Sequence, residues 1–137
     1  WEDARSMTER VAALRALLHS RADGSDAARN RFAEEFRSNP LVTDKWLALV
    51  ATRPCASALD DVVALLSGPF WLPANPNRVR AIVGSVARSN PAAFHRDDGA
   101  GYRFVAGQVA TLDALAPLRR RAASRDVTEL LARLPEA

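Results

Sequence analysis

Apolar side chains recur every three or four residues through most of the chain, which is the spacing of one buried face of an α-helix. No segment alternates apolar and polar residues in the manner of a half-buried strand. The pattern therefore predicts an all-α fold. The apolar stripes are Val11-Leu14-Leu17-Leu18, Phe32-Phe36, Val42-Trp46-Leu49-Val50, Leu59-Val62-Val63-Leu66, Val79-Ile82-Val83-Val86 and Tyr102-Val105-Val109-Leu112.

Residues suited to helix starts precede several of these stripes. Ser6 and Glu9 form an S-x-x-E capping box, in which each side chain accepts a hydrogen bond from a backbone N–H at the helix start. Asn39-Pro40 and Asn75-Pro76 combine a capping side chain with a proline at the first helical position. Asn90-Pro91 begins a short turn. These signals predict where four helical segments begin.

Prolines mark a loop and a helix end. The apolar loop Phe70-Trp71-Leu72 lies between two prolines and is expected to pack onto the helices. Pro117 interrupts the last stripe, and proline lacks the N–H that an interior helical residue donates. We therefore expect the sixth long helix to end there and a shorter helix to restart near Ser124.

The two Asn-Pro starts at Asn39 and Asn75 are 36 positions apart, and a pair of helices follows each of them. That spacing lies in the range of tetratricopeptide, armadillo and HEAT repeats. At 137 residues the chain is long enough for one domain with its own hydrophobic core. We predict a single domain over 1–137, built of stacked antiparallel helices as an irregular armadillo- or HEAT-like superhelical solenoid.

The charge of the chain is basic but dispersed. The formal net charge is +3, and arginine supplies all but one of the 19 basic residues. They alternate with acidic residues along the chain, and only Arg119, Arg120 and Arg121 form a tight cluster. This distribution favours a solvated surface over a nucleic-acid interface, which concentrates its charge on one face. Weak nucleic-acid binding through residues 119–121 stays open as a further hypothesis.

The single cysteine, Cys55, has no partner for an internal disulfide, which favours a reducing, cytoplasmic compartment. No apolar run approaches the roughly 20 residues of a membrane-spanning helix, and the first residues lack the apolar stretch of a signal peptide. We expect no membrane partner. The chain begins at Trp1 rather than at a methionine, so we expect either a piece of a longer protein or a processed N-terminus.

Residues that often perform catalysis are present without their usual companions. His95-Arg96-Asp97 matches the first letters of a kinase catalytic loop, but the downstream Asn and a Gly-rich loop are absent. His19 and His95 are far apart in sequence, and neither belongs to an H-E-x-x-H pair. We therefore predict no catalytic, cofactor-binding or metal-binding residues in this chain.

Four ordered words along the chain resemble the C-terminal domain of bacterial aminopeptidase N, a family of zinc metallopeptidases. They are N-P-L-V-T-D-K-W from Asn39, A-T-R-P from Ala51, N-P-N-R-V-R from Asn75 and S-N-P-A-A-F-H-R-D-D-G-A-G-Y from Ser89. The similarity extends in order over residues 7–112. Words of this length and order are more specific than any single motif above.

The resemblance implies an all-α domain of stacked helices that packs over the catalytic domain of the same polypeptide. It also implies that this domain helps enclose the active-site chamber, with the peptide substrate passing nearby. In that family the zinc ligands lie on H-E-x-x-H and a downstream Glu, and a G-A-M-E-N word holds the substrate's amino terminus. None of these words is in this chain. Zinc is thus expected in the catalytic domain, and this chain alone is expected to be inactive.

Arg78 and Arg80, in the N-P-N-R-V-R word, are the two residues that the resemblance carries over. They are candidates for lining the chamber or contacting the catalytic domain, and Arg80 is the first choice. The spacing puts them on opposite sides of their helix's apolar stripe, where an arginine can lie half-covered and reach a carboxylate across an interface. A surface arginine with a packed stem is the alternative for both.

The tail departs from the family's pattern. The stretch between Leu112 and Ser124 is shorter by about the length of a helical hairpin, through either a genuine deletion or missing sequence. The solenoid is therefore expected to be truncated near its C-terminus. An alternative function from a different class is a stand-alone helical-repeat adaptor that binds a protein or a peptide along a groove.

Overall fold

A computed structural model describes the backbone of residues 6–132 and the side chains of residues 6–117. Every regular element within 6–132 is a helix, which confirms the all-α prediction. Helix α5 (residues 76–89) is built from three consecutive helical segments. The other helices are α1 Met7–Ser20, α2 Ser25–Glu35, α3 Pro40–Ala51, α4 Ala58–Leu66, α6 Pro91–Phe94 and α7 Ala100–Ala132.

The predicted helix starts are confirmed as hydrogen-bonded caps. The Ser6 hydroxyl accepts from the Glu9 backbone N–H and the Glu9 carboxylate accepts from the Ser6 N–H, both at 3.2 Å. The Asn39 side chain accepts from the Val42 N–H at 3.3 Å. Asn75 likewise accepts from two backbone N–H groups of the first turn of α5. These local signals were readable because a cap satisfies donors only a few residues away.

Ion pairs between helix ends show that successive helices are antiparallel, as predicted. Arg10 near the start of α1 pairs with Glu35 at the end of α2. Arg53, after the end of α3, pairs with Asp26 near the start of α2 at 3.6 Å. The chain therefore reverses direction from α1 to α2 and again from α2 to α3.

Helices α3 and α5 run parallel, side by side. Arg78 near the start of α5 pairs with Asp44 near the start of α3. Asn90, just after α5, donates to the carbonyl of Ala51 at the end of α3. The two Asn-Pro helix starts thus occupy the same end of equivalent helices. This is the geometry of stacked helical repeats, and it confirms the solenoid prediction.

The core lies between one layer formed by α1, α3 and α5 and a second layer that contains α2 and α4. Helix α3 sits in the middle and buries the largest share of its surface, because it has neighbours on both sides and beneath it. The apolar side chains with the lowest exposure are Leu14, Leu18, Phe32, Val42, Trp46, Leu47, Val50, Ala58, Leu59, Val62, Ile82 and Val86.

Two side chains predicted to be buried lie at the surface instead. Val63 is 49% exposed and Leu72 is 48% exposed. Helix α4 meets the core along one narrow face, which Leu59 and Val62 occupy. Val63 follows Val62 and so points about 100° away from it. In the loop, Phe70 and Trp71 pack against the core as predicted, but Leu72 does not.

Helix α7 is longer than predicted. It continues from Ala100 through Pro117 to Ala132, so the predicted break at Pro117 and the separate helix near Ser124 are wrong. Proline removes one backbone hydrogen bond, whereas the flanking alanines, leucines and arginines are strong helix formers. No helix within 6–132, α7 included, is long and apolar enough to cross a membrane.

The face by which α7 packs also differs from the predicted stripe. Tyr102 is 51% exposed and Val109 is 58% exposed, although both belong to that stripe. Gly101 is buried against α6, so close that a Cβ there would lie 2.2 Å from the Phe94 carbonyl oxygen. Helix α7 can approach α6 this closely only because Gly101 has no side chain.

Candidate functional site

Helix α5 contains the two predicted site residues, and its backbone is not a regular α-helix. An α-helical turn, Pro76–Val79, is followed by a π-helical turn, Arg80–Gly84, and by a further α-helical segment, Ser85–Ser89. A π-turn inserts one extra residue into the helix and is often found at functional sites. Nothing in the sequence indicated it, since the flanking residues have ordinary helical patterning.

The π-turn explains which residues of α5 face the core. Arg78, Ile82, Val86 and Asn90 are spaced four apart and are 4%, 0%, 0% and 1% exposed. In a regular α-helix each four-residue step turns the side chain by about 40°, so three steps would rotate Asn90 far from the direction of Arg78. The wider π-turn absorbs most of this rotation. All four side chains therefore point into the protein.

Arg78 is held inside the chain. Its Nε donates to Asp44 Oδ1 at 2.5 Å and its Nη1 donates to the Phe70 carbonyl at 2.6 Å. The side chains of Arg78 and Asp44 are 5% and 15% exposed. One guanidinium thus links α5 to α3 and to the loop after α4. An arginine suits this position because its planar fork of donors serves two acceptors at once.

Asn90 holds the C-terminal end of α5 against the end of α3. The sequence indicated only part of this role. Its Oδ1 accepts from the Ala93 N–H at 3.1 Å, which is the predicted cap of α6. Its Nδ2 also donates to the carbonyls of Ala51 and Arg53, at 2.8 and 2.7 Å. The Ala51 carbonyl ends α3 and has no later helical turn to bind, and the Arg53 carbonyl, just beyond the helix, also accepts from the Cys55 N–H. Their shared partner Asn90 is 37 to 39 residues away, so no local pattern reveals it.

Arg80 lies on the opposite face of α5 and is exposed. It begins the π-turn, and Gly84 ends it on the same face, since a Cβ at Gly84 would lie 3.9 Å from the Cβ and Cγ of Arg80. Arg88, four residues further on, is also exposed. Among the side chains of residues 6–117, none forms an ion pair or hydrogen bond with Arg80 or Arg88. The structure therefore separates Arg78 and Arg80, which the sequence treated as a pair.

The His95-Arg96-Asp97 segment forms a turn between α6 and α7. The His95 Nδ1 and the Tyr102 hydroxyl are 2.5 Å apart, which links the two helices. Arg96 binds Asp98 at 2.8 Å and Asp60 of α4 at 2.9 Å. The pKa of Asp98 is lowered, first by the hydrogen bond from the Ala100 N–H and then by Arg96. These contacts account for the segment as a structural connection between helices.

A groove of about 460 Å³ lies between α2 and α4. Trp46 and Phe70 line it, with ring centroids 5.0 Å apart, and Trp46 Nε1 donates to the Arg29 carbonyl at 3.1 Å. Asp61 at its edge pairs with Arg29 at 3.4 Å and with Arg53 at 2.9 Å. The groove is apolar at its floor and charged at its rim, so it is suited to an apolar side chain with polar flanks.

His19, the second histidine, lies at the end of α1 and belongs to none of these clusters. Its Nε2 is buried and has no hydrogen-bond partner among the described residues. Burial and the neighbouring Arg15 guanidinium both lower the pKa of His19. Among the side chains of residues 6–117, no three of His, Cys, Asp or Glu are placed to hold a metal ion.

Comparison with known proteins identifies similar domains. Residues 1–133 match the family model described as domain of unknown function (DUF3458_C), ARM repeats. The chain is 37% identical to aminopeptidase N of Escherichia coli over 131 residues, which is 96% of this chain and 15% of that protein. It is 39% identical to aminopeptidase N of Caulobacter vibrioides over 115 residues, 84% of this chain and 13% of that protein. The chain thus spans less than a sixth of the length of these relatives.

A solved structure shows the same fold. The crystal structure of Legionella pneumophila aminopeptidase A in complex with aspartic acid superposes with a TM-score of 0.76 at 28% identity. The match covers 81% of this chain and 13% of that one. The resemblance to the C-terminal domain of bacterial aminopeptidase N is therefore confirmed, together with the all-α fold of stacked helices that it implied.

Proposed function

This chain belongs to the DUF3458_C family of ARM-repeat domains, and we propose that it is the non-catalytic C-terminal domain of a zinc-dependent aminopeptidase N. In this role it packs over the catalytic domain of the same polypeptide and helps enclose the active-site chamber and the peptide access route. The observation that carries the proposal is the match of 96% of the chain to only 15% of the Escherichia coli aminopeptidase N.

The chemistry of the described residues supports this division of labour. A catalytic zinc site needs about three protein ligands, and the side chains of residues 6–117 offer no such group. These side chains therefore do not fit a zinc ion, and we assign no chemical step to them. In the proposal, zinc and the peptide-bond chemistry belong to the catalytic domain. The whole enzyme is cytoplasmic, with no membrane or nucleic-acid partner.

Arg80 is the residue proposed to face the chamber or the catalytic domain. It is exposed, and no side chain of residues 6–117 engages its guanidinium. Arg78 belongs to the same proposal in a supporting role, because its contacts with Asp44 and Phe70 fix the start of α5. Because the helix is fixed at both ends, contact between Arg80 and a carboxylate requires ordering of the side chain but not of the backbone.

The proposal is tested by assaying the full-length polypeptide that carries this chain beside the chain alone. We expect the full-length protein to hydrolyse an aminoacyl-arylamide and to lose that activity on treatment with a zinc chelator. The chain alone should show no hydrolysis above background. Chelator-sensitive hydrolysis by residues 1–137 would contradict the proposal.

The groove between α2 and α4 favours one second candidate, a stand-alone adaptor that binds a peptide. Trp46 and Phe70 at the floor of the groove would receive an apolar side chain of the peptide. The two candidates differ in the parent gene. An H-E-x-x-H word upstream in the same reading frame would rule out the adaptor, whereas a short parent without that word would rule out the aminopeptidase domain.

A further inference from the structure

The outer face of α5 carries a row of residues with the same four-residue spacing as its buried face. The row consists of Arg80, Gly84 and Arg88. The π-turn aligns it for the same reason that it aligns the buried row, because both rows share one backbone. Because the π-turn contains one extra residue, about seven α-helical rises of 1.5 Å separate the two arginines, which start about 10 Å apart along the helix axis. The two arginine side chains thus place two positive charges on the exposed face of α5.

Packing within the chain does not explain why a glycine, Gly84, lies between the two arginines. Gly84 has ordinary helical angles, φ −62° and ψ −36°, so it is not required for a left-handed turn. A Cβ there would meet only the stem of Arg80, at the ordinary contact distance of 3.9 Å. Glycine in a helix interior costs roughly 1 kcal/mol relative to alanine. What glycine provides here is a notch between the two arginines, open to an approaching surface.

The two arginines of the row have no acidic partner among the side chains of residues 6–117. Several acidic side chains elsewhere pair with other arginines. Arg53 pairs with Asp26 and Asp61, and Arg96 pairs with Asp60. Asp44 of α3 pairs with Arg78. No side chain of residues 6–117 neutralises Arg80 or Arg88. The face therefore fits a partner that brings its own negative charge.

We propose that Arg80 and Arg88 dock together onto an acidic surface of the catalytic domain, which presents two carboxylates about 10 Å apart. A segment of that surface enters the notch at Gly84. This inference rests on the proposed function and extends it, because it adds Arg88 and Gly84 to the contact and states the chemistry of the partner.

The first experiment measures the accessibility of the arginines in the full-length enzyme. Phenylglyoxal modifies exposed guanidinium groups, and mass spectrometry reports the rate at each arginine. We expect Arg80 and Arg88 to react at least tenfold more slowly than Arg103, which is exposed on α7. Equal rates at the three positions would overturn the docking surface. Protection that appears only as the enzyme dimerises in sedimentation would assign the surface to a second copy and also overturn the proposal.

The second experiment tests the charge by reversing it in the full-length enzyme. Arg80→Glu with Arg88→Glu should accelerate limited proteolysis at the domain junction at least tenfold, and added salt should weaken the junction of the unchanged enzyme. Arg103→Glu is the matched control and should leave the rate of cleavage unchanged. If Arg80 and Arg88 are protected but the double reversal has no effect, the acidic partner is wrong while the proposed function stands.

The notch is tested separately by a bulky side chain. Gly84→Leu should weaken the junction, whereas Gly107→Leu, at a helical glycine with nothing within 4 Å of an added Cβ, should not. An equal effect of the two substitutions would overturn the notch. The proposed function itself fails by a different result, the absence of chelator-sensitive hydrolysis in the full-length enzyme.

Discussion

Arg78 of α5 and Asp44 of α3 form a buried ion pair across the boundary between two helical repeats, with Nε and Oδ1 2.5 Å apart. They are 34 residues apart in sequence and lie near the starts of parallel helices. The pair fixes the register of one repeat against the next. It also removes Arg78 from the surface and leaves Arg80 as the exposed arginine of the N-P-N-R-V-R word.

Removing one member of this pair should destabilise the domain strongly. Arg78→Met leaves the Asp44 carboxylate without its partner, for which we expect a loss of about 3–5 kcal/mol in the free energy of unfolding. Urea unfolding of residues 1–137, followed by circular dichroism, measures it. Arg78→Met combined with Asp44→Leu should recover much of the loss. A double variant less stable than the single one would contradict this account.

Arg80→Ala should behave in the opposite way. Because Arg80 is exposed and no side chain of residues 6–117 pairs with it, we expect the unfolding free energy of the chain to change by less than about 0.5 kcal/mol. In the full-length enzyme the same substitution should change peptide turnover or the docking of this domain. A stability loss above about 1 kcal/mol in the isolated chain would make Arg80 a structural residue instead.

Asn90→Ala should cost more than the loss of an ordinary cap. An N-cap asparagine contributes about 1 kcal/mol, but Asn90 also donates to the buried Ala51 carbonyl at the end of α3 and to the Arg53 carbonyl just beyond it. We expect a loss of about 2–4 kcal/mol, measured by thermal or urea unfolding. Asn75→Ala is the matched control, since Asn75 caps α5 only through its own first turn. Similar losses for the two variants would argue against the link to α3.

The two glycines of α7 should respond to alanine with opposite signs. Gly101→Ala places a Cβ where the Phe94 carbonyl oxygen lies, so we expect a loss of about 1–3 kcal/mol or a shift of the whole helix. Gly107→Ala meets no neighbouring atom within 4 Å and should stabilise the helix by about 0.5–1 kcal/mol. Differential scanning calorimetry of both variants measures the two changes in stability. Stabilisation by Gly101→Ala would disprove the close contact of α6 and α7.

Stability should fall as the solution is acidified through the titration of His19. Its pKa in the folded chain lies below the ordinary value of 6.5. The unfolded chain therefore takes up the proton more readily, and the free energy of unfolding decreases as pH falls below about 6.5. Urea midpoints between pH 5 and 8 report this. His19→Gln should flatten the pH dependence of stability, and His95→Gln should leave it unchanged. The reverse outcome would show that His95, not His19, causes the dependence.

Prediction from the sequence succeeded where the physics is local. The caps at Ser6, Asn39 and Asn75 satisfy donors within three residues, and the apolar stripes report which side of each helix avoids water. The Asn-Pro repeat also indicated the solenoid. The signal failed at Pro117, where strong helix formers on both sides outweighed a single missing hydrogen bond.

The candidate site was only half predictable. Arg78 and Arg80 look equivalent in sequence because they flank the same apolar stripe. Which of them is buried depends on the π-turn and on Asp44, a partner 34 residues away. No local pattern encodes either. The second role of Asn90 was hidden in the same way, since its amide binds carbonyls of the preceding repeat.

The extra residue in the π-turn makes α5 more tolerant of losing a residue than of gaining one. If one residue between 80 and 84 were lost, the helix would close into a regular α-helix in which Asn90 stands eleven positions after Arg78, within about 20° of the same direction. Arg88, seven positions after Arg80, would likewise keep its line. A residue added to this segment would instead rotate the side chains beyond it by about 100° and move Asn90 away from the end of α3. Length changes of opposite sign would therefore have opposite consequences for how successive repeats stack.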